Sequence, residues 1–134
     1  MPSPEKIDQT CHNFVRARNF DQVACYFVEL PAKHRFLLVE KLVLFAIERN
    51  EADARLVGDL LNLPTVKELC PHDCLEQAFT LISEVIDDVV LDSPKAFEHL
   101  AAIFKATHLD KDKGRISRIV AKCRQSGRLS ASLL

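Results

Sequence analysis

Glycine is scarce in this chain: Gly58, Gly114 and Gly127 are its only three, and no Asn-Gly or Asp-Gly pair occurs. The turn chemistry of tight β-hairpins is therefore missing. Strand-type alternation never persists over a useful length, so a sheet has little to be built from. No apolar run approaches the ~20 residues that span a bilayer, and "MPSPEKIDQTCHNF" lacks the charged and apolar regions of a secretory leader. No membrane contact is expected. Charge of one sign is also lacking, because 18 Lys and Arg against 19 Asp and Glu leave a formal net charge of −1. That excludes a broad electrostatic footprint for nucleic acid.

Catalytic signatures are absent as well. There is no Gly-rich phosphate loop, nucleophile elbow, HExxH pair or readable Cys–His arrangement. Five histidines, at 12, 34, 72, 99 and 108, stand singly near helix ends or polar faces. They read mostly as surface or cap residues. Five cysteines, at 11, 25, 70, 74 and 123, are odd in number and follow no disulfide-framework spacing. A reduced chain with small buried thiols follows, placed in the cytoplasm, with nothing to bar a nuclear pool. "CPHDC" offers Cys70, His72, Asp73 and Cys74, but a structural zinc site normally matches its tight pair with a second ligand pair. None follows here, and Pro71 reads as a first-turn proline that sets Cys70 and Cys74 one helical turn apart as thiols. The expectation is a protein that is not an enzyme, takes no small-molecule substrate and needs no metal or cofactor.

What the chain does have is helical periodicity. Its 134 residues, 48% apolar and 28% charged, suit one globular domain, since domains are commonest at about 100–150 residues. That domain is expected over residues 1–126, with a polar, serine-rich, fraying tail at 127–134. Ser3-Pro4 opens a first helix, and Asp21 caps a second that Pro31 ends. A third, from about Ala32 to Arg49, is apolar round most of its circumference and should be central. A fourth spans Glu51 to Asn62, and a short turn around Val66 and Leu69 leads to a fifth starting at Pro71. A sixth carries Ala96, Phe97, Leu100 and Ile103. A seventh follows the charged loop "HLDKDKG", carrying Ile116, Ile119, Val120 and Cys123. The predicted fold is all-α, about seven helices in a HEAT-like stack of antiparallel helical hairpins.

One corner stands out. "IDDVVLDSPKAFEHLAAIF", residues 86–104, places Asp87, Asp88 and Asp92 around a serine and a proline. If the fifth helix ends near Val89 or Val90, Asp87 and Asp88 lie in its last turn. There a carboxylate opposes the helix dipole at about 0.3–1 kcal/mol each. Ser93 is expected as N-cap and Pro94 as first residue of the next helix, which leaves Asp92 pointing outward. Val89, Val90 and Leu91 should anchor the turn to the core. The residues alone leave a solvated turn and a partner-binding rim equally open. A metal site or a catalytic carboxylate pair lacks further converging groups. A second candidate surface is the basic stretch "KDKGRISRIVAKCRQSGR", residues 111–128. It offers weak RNA contact through phosphates, without an interleaved aromatic on which bases could stack.

The corner "LISEVIDDVVLDSPKAFEHLAAIFKA" resembles the signature of the MA-three domain family, helical modules of the translation initiation factor 4G scaffold and programmed cell death 4 type. Asp87, Asp88, Leu91, Asp92, Pro94 and Ala96 carry the likeness. "NFDQVACYFVELPAKHRFLLVEKLVLFAIERNEADARLVGDLL" is similar to the family's opening half, so the resemblance covers about Asn19 to His108. Ala78-Phe79 stands where the family often has glycine-phenylalanine, and the likeness fades after Lys105. The resemblance implies a HEAT-like interaction domain that binds the DEAD-box RNA helicase initiation factor 4A and modulates translation initiation. By position it implies contacts from Asp88, Asp92 and Pro94, with Asp87 as a weaker one.

Overall fold

Ser3 accepts a hydrogen bond from the Lys6 N–H, and Pro4 then fits the first helical position, so α1 (Pro4–Ala17) begins where the sequence places it. Arg18 ends it in the left-handed region, φ 55°. The computed structural model describes residues 3–123. Helices α2 (Phe20–Glu29), α3 (Arg35–Arg49), α4 (Glu51–Leu61), α5 (Pro64–Leu69), α6 (His72–Asp92), α7 (Ala96–Ala106) and α8 (Lys113–Val120) follow in order. Single 3-10 turns lie at Ala32–His34 and Leu109–Lys111, and no strand occurs among the described residues. The fold class is the expected all-α helical stack. The tail at 127–134 lies outside the described residues.

Two local expectations are corrected. The segment around Val66 and Leu69 is a helix rather than a turn, which makes eight helices among the described residues. Pro64 both stops α4 and opens α5, because a proline forbidden inside one helix is favoured at the start of the next. Asn19, not Asp21, caps α2; its side chain accepts from the Asp21 N–H at 3.0 Å.

The periodic apolar residues of all eight helices meet in one hydrophobic cluster. α3 sits inside it, with Leu38, Val39, Leu42, Val43, Ala46 and Ile47 buried and α1, α4, α6 and α7 packed around it. α4 and α7 approach each other through small residues: a Cβ built on Gly58 would lie 2.6 Å from the Ala106 Cβ. A buried carboxylate lies in the first turn of α4. Asp53 accepts from Arg49 Nε at 2.7 Å, with Arg18 Nη2 at 3.5 Å and Asn50 Nδ2 at 3.4 Å. No described helix is long and apolar enough to cross a membrane.

Burial pushes the Cys11 thiol from 9.0 up to about 12, with the nearby Asp8 carboxylate adding to the effect. Between those values the unfolded chain has lost a proton that the folded chain still holds. Stability from this group is therefore complete below pH 9 and falls as pH rises, by about 1.4 kcal/mol per unit. Urea titrations from pH 8 to 11 should show that fall, and Cys11→Ala should flatten it. An equally steep fall in the variant would reject this origin.

Candidate protein-interaction face

The outward surface of α6 follows from its inward one. Leu75, Ala78, Phe79, Ile82, Ile86 and Val90 are buried against the core. At 3.6 residues per turn, Glu84, Val85, Asp88, Leu91 and Asp92 then share about a third of the helix circumference on the far side. All five are exposed. Leu91 is 78% exposed and Val85 39%, so a stripe of three carboxylates, Glu84, Asp88 and Asp92, runs between two exposed apolar side chains. Neither Asp88 nor Asp92 has an ion pair or side-chain hydrogen bond to another described residue. No cation occupies the last turn of α6. The acids there oppose the helix dipole, at about 0.3–1 kcal/mol each.

The corner beyond Asp92 is held from α3. A helix ends with carbonyls that its own backbone cannot satisfy. The Ser93 hydroxyl donates to the Glu48 carbonyl at 3.0 Å, and His99 Nδ1 donates to the Ile47 carbonyl at 3.0 Å. His99 is thus buried and bonded, not the surface or cap residue expected. Pro94 and Lys95 form the exposed turn before α7. A groove of about 350 Å³ runs between this turn and the end of α3, lined by Glu48, Arg49, Asp92, Pro94 and Lys95 among others.

Four expectations about this corner change. α6 continues past Val89 and Val90 to Asp92, because Val90 extends the buried stripe and the Ser93 N–H closes on the Val89 carbonyl at 2.9 Å. Asp88 therefore lies one turn before the helix end, and Asp92 is its last residue. Ser93 caps no helix; its hydroxyl is drawn to Glu48, Lys95 precedes α7 without a side-chain cap, and Pro94 falls in the turn. Leu91 anchors nothing and faces outward. Asp87 is half-buried and turned toward the end of α8, where Cys123 Sγ lies 3.8 Å from its Oδ1. The structure thus brings Asp88 and Asp92 onto one face, sets Pro94 at its rim, and separates Asp87 from it.

A larger groove, about 590 Å³, lies at the other end of α6 between Phe36, Leu81, Glu76 and Arg115. Its charges are matched to one another. Arg118 reaches Glu76 through two bonds of 2.9 and 3.0 Å, and Arg115 reaches Asp73, Glu76 and Asp112 at 2.7, 3.0 and 3.0 Å. The Arg118 hydrogen bonds hold the Glu76 carboxyl below its usual range, and bonding to Asp73 first of all raises Arg115. Arg115 and Arg118 belong to the basic stretch 111–128, so two of its cations already face carboxylates. Arg124 and Arg128 lie outside the described residues.

Cys70 and Cys74 form a disulfide, correcting the expected thiols. The bend between α5 and α6 brings their Cα atoms to 5.3 Å, within bonding range. Among the described residues no three His, Cys, Asp or Glu side chains gather as a metal site. Sequence reading missed Glu84 and Val85, although the helical wheel through Ile82, Ile86 and Val90 places them beside Asp88. The chain matches no protein-family model, no curated protein and no solved structure in these comparisons.

Proposed function

We propose that this is a non-enzymatic protein-interaction domain that docks a basic protein surface on the outer face of α6. One observation carries the reading: Asp88 and Asp92, without an ion pair to a described residue, stand beside an uncovered Leu91 on a helix end that the acids do not stabilise. Protein interfaces combine apolar contact area with charged and polar groups, and this face offers both. The acids would steer encounter and fix register, while Leu91 and Val85 supply contact energy. The MA-three resemblance nominates the initiation factor 4A helicase, whose RNA-gripping surface is basic, and with it a role in translation initiation. RNA contact by residues 111–128 is the alternative reading; the pairing of Arg115 and Arg118 with carboxylates weighs against it.

Titration of purified helicase against the domain tests this. Asp88→Ala with Asp92→Ala is expected to weaken binding at least about tenfold, with the helical circular dichroism unchanged and the melting temperature equal or slightly raised. Leu91→Ala should weaken binding in the same assay without altering its salt dependence. Unchanged affinity in the acidic double variant would overturn the proposal.

A further inference from the structure

The Cys70–Cys74 disulfide has no part in the α6 face, and its two sulfurs sit in unlike surroundings. Cys70 ends α5, is 1% exposed, and bonds its N–H to the Val66 carbonyl. Cys74 is half-buried and third in α6. The first N–H groups of a helix have no intrahelical acceptor, and their partial positive charge favours a thiolate. Pro71, in the cap position, provides no side-chain bond to compete. The neighbouring Asp73 carboxylate is matched by Arg115 at 2.7 Å. Arg35 meanwhile ties the bend from outside the ring: its Nη1 donates to the Leu69 carbonyl at 3.2 Å and its Nε to the Phe27 carbonyl at 2.8 Å.

We propose that Cys70–Cys74 is a reversible thiol–disulfide exchange site, with Cys74 as the exchanging sulfur and dithiols as its co-reactants. A dithiol's thiolate attacks Cys74 Sγ, the more accessible sulfur, and the Sγ–Sγ bond breaks. The electron pair leaves on Cys70 Sγ, which takes up a proton. The second thiol of the reductant then attacks the mixed disulfide, releases Cys74 as a thiolate and closes into its own cyclic disulfide. Two electrons pass to the protein, and the co-reactant is oxidised by two. The Arg35 tie keeps the two cysteines close after reduction, so the pair can close again without refolding the bend. Loss of the small ring loosens the unfolded chain's constraint and should lower the melting temperature by roughly 5–10 °C.

The test uses the intact chain, equilibrated in dithiothreitol buffers of stepped reduced-to-oxidised ratio, quenched in acid and mapped by alkylation and mass spectrometry. Cys70 and Cys74 should become free together while the helical circular dichroism persists. In a brief iodoacetamide pulse on the reduced, native chain, Cys74 should label at least about tenfold faster than Cys70. Under oxidised glutathione, Cys70→Ser should take up one glutathione at Cys74, and Cys74→Ser none at Cys70. Reduction only upon loss of helix, no disulfide under oxidised glutathione, or equal labelling of both thiols would each overturn the proposal. Should either variant fail to fold, the labelling race in the unaltered chain decides the matter.

Discussion

Gly58→Val is expected to cost about 3 kcal/mol and to lower the melting temperature by roughly 10 °C. The reason is the approach of α4 to α7. An added Cβ would lie 2.6 Å from the Ala106 Cβ and 3.8 Å from the Ile103 Cα. Neither atom is the far end of a flexible side chain, so the helices themselves must separate. Their separation would open voids around the core residues Val57, Leu61, Ile103 and Phe104. Gly58→Ala sets a smaller clash against the better helix propensity of alanine, about 1 kcal/mol, and should still come out destabilised. Gly114→Ala is the internal contrast. Its Cβ would meet nothing closer than 3.6 Å, so propensity acts alone and the protein should gain up to about 1 kcal/mol. Urea and thermal denaturation followed at 222 nm read all three. Pairing Gly58→Ala with Ala106→Gly should recover part of the loss, as contacting residues couple. A Gly58→Ala protein as stable as the parent would reject the close-packing account.

Asp53→Ala is expected to cost about 2–3 kcal/mol, read in the same denaturation experiments. The carboxylate is 3% exposed and serves three helix ends together: Arg18 at the end of α1, Arg49 at the end of α3 and Asn50 at the start of α4. Its position suits its sign, since it lies in the first turn of α4 while its cationic partners stand at C-terminal ends. Breaking a fully buried ion pair costs more, about 3–5 kcal/mol. Here the side chains of Arg18 and Arg49 are 53% and 49% exposed and regain water when their partner goes. Asp53→Asn keeps the shape and loses the charge, and should fall between the parent and the alanine variant. Loss of less than about 0.5 kcal/mol in Asp53→Ala, the level of an ordinary surface change, would reject the linking role.

The all-α architecture was legible because each long helix repeats its apolar residues at the period of its buried face, as Leu38, Leu42 and Val43 do on α3. Asp92 was expected to point outward because of a cap at Ser93 that does not form; it is the period of Ile82, Ile86 and Val90 on the buried side that turns Asp88 and Asp92 outward. What escaped depends on partners distant in sequence. Ser93 before Pro94 is a sound local cap signal, yet its hydroxyl goes to Glu48, 45 residues earlier. Leu91 belongs to a run of apolar residues, but it sits about 100° round the helix from Val90 and so turns from the core. α5 has six residues, too few for a period to show, and the Cys70–Cys74 bond needs the bend that α5 creates. His99 offered no sequence signal at all, because its acceptor is a backbone carbonyl on α3.

The end of α3 has a bearing on how loss of binding would be inherited. Ile47 and Glu48 hold the corner through His99 and Ser93, and Arg49 reaches into the Asp53 cluster one residue later. If the outer side of α6 is the docking face proposed above, a library of random variants scored only for partner capture should return two separate groups. One maps to the outer side of α6 and keeps the parental melting curve. The other maps to the α3–α4 junction, touches no partner, and loses capture because the corner has lost its fixed reference. Second-site suppressors would tell them apart: added stability elsewhere rescues the junction group and leaves the α6 group unrescued.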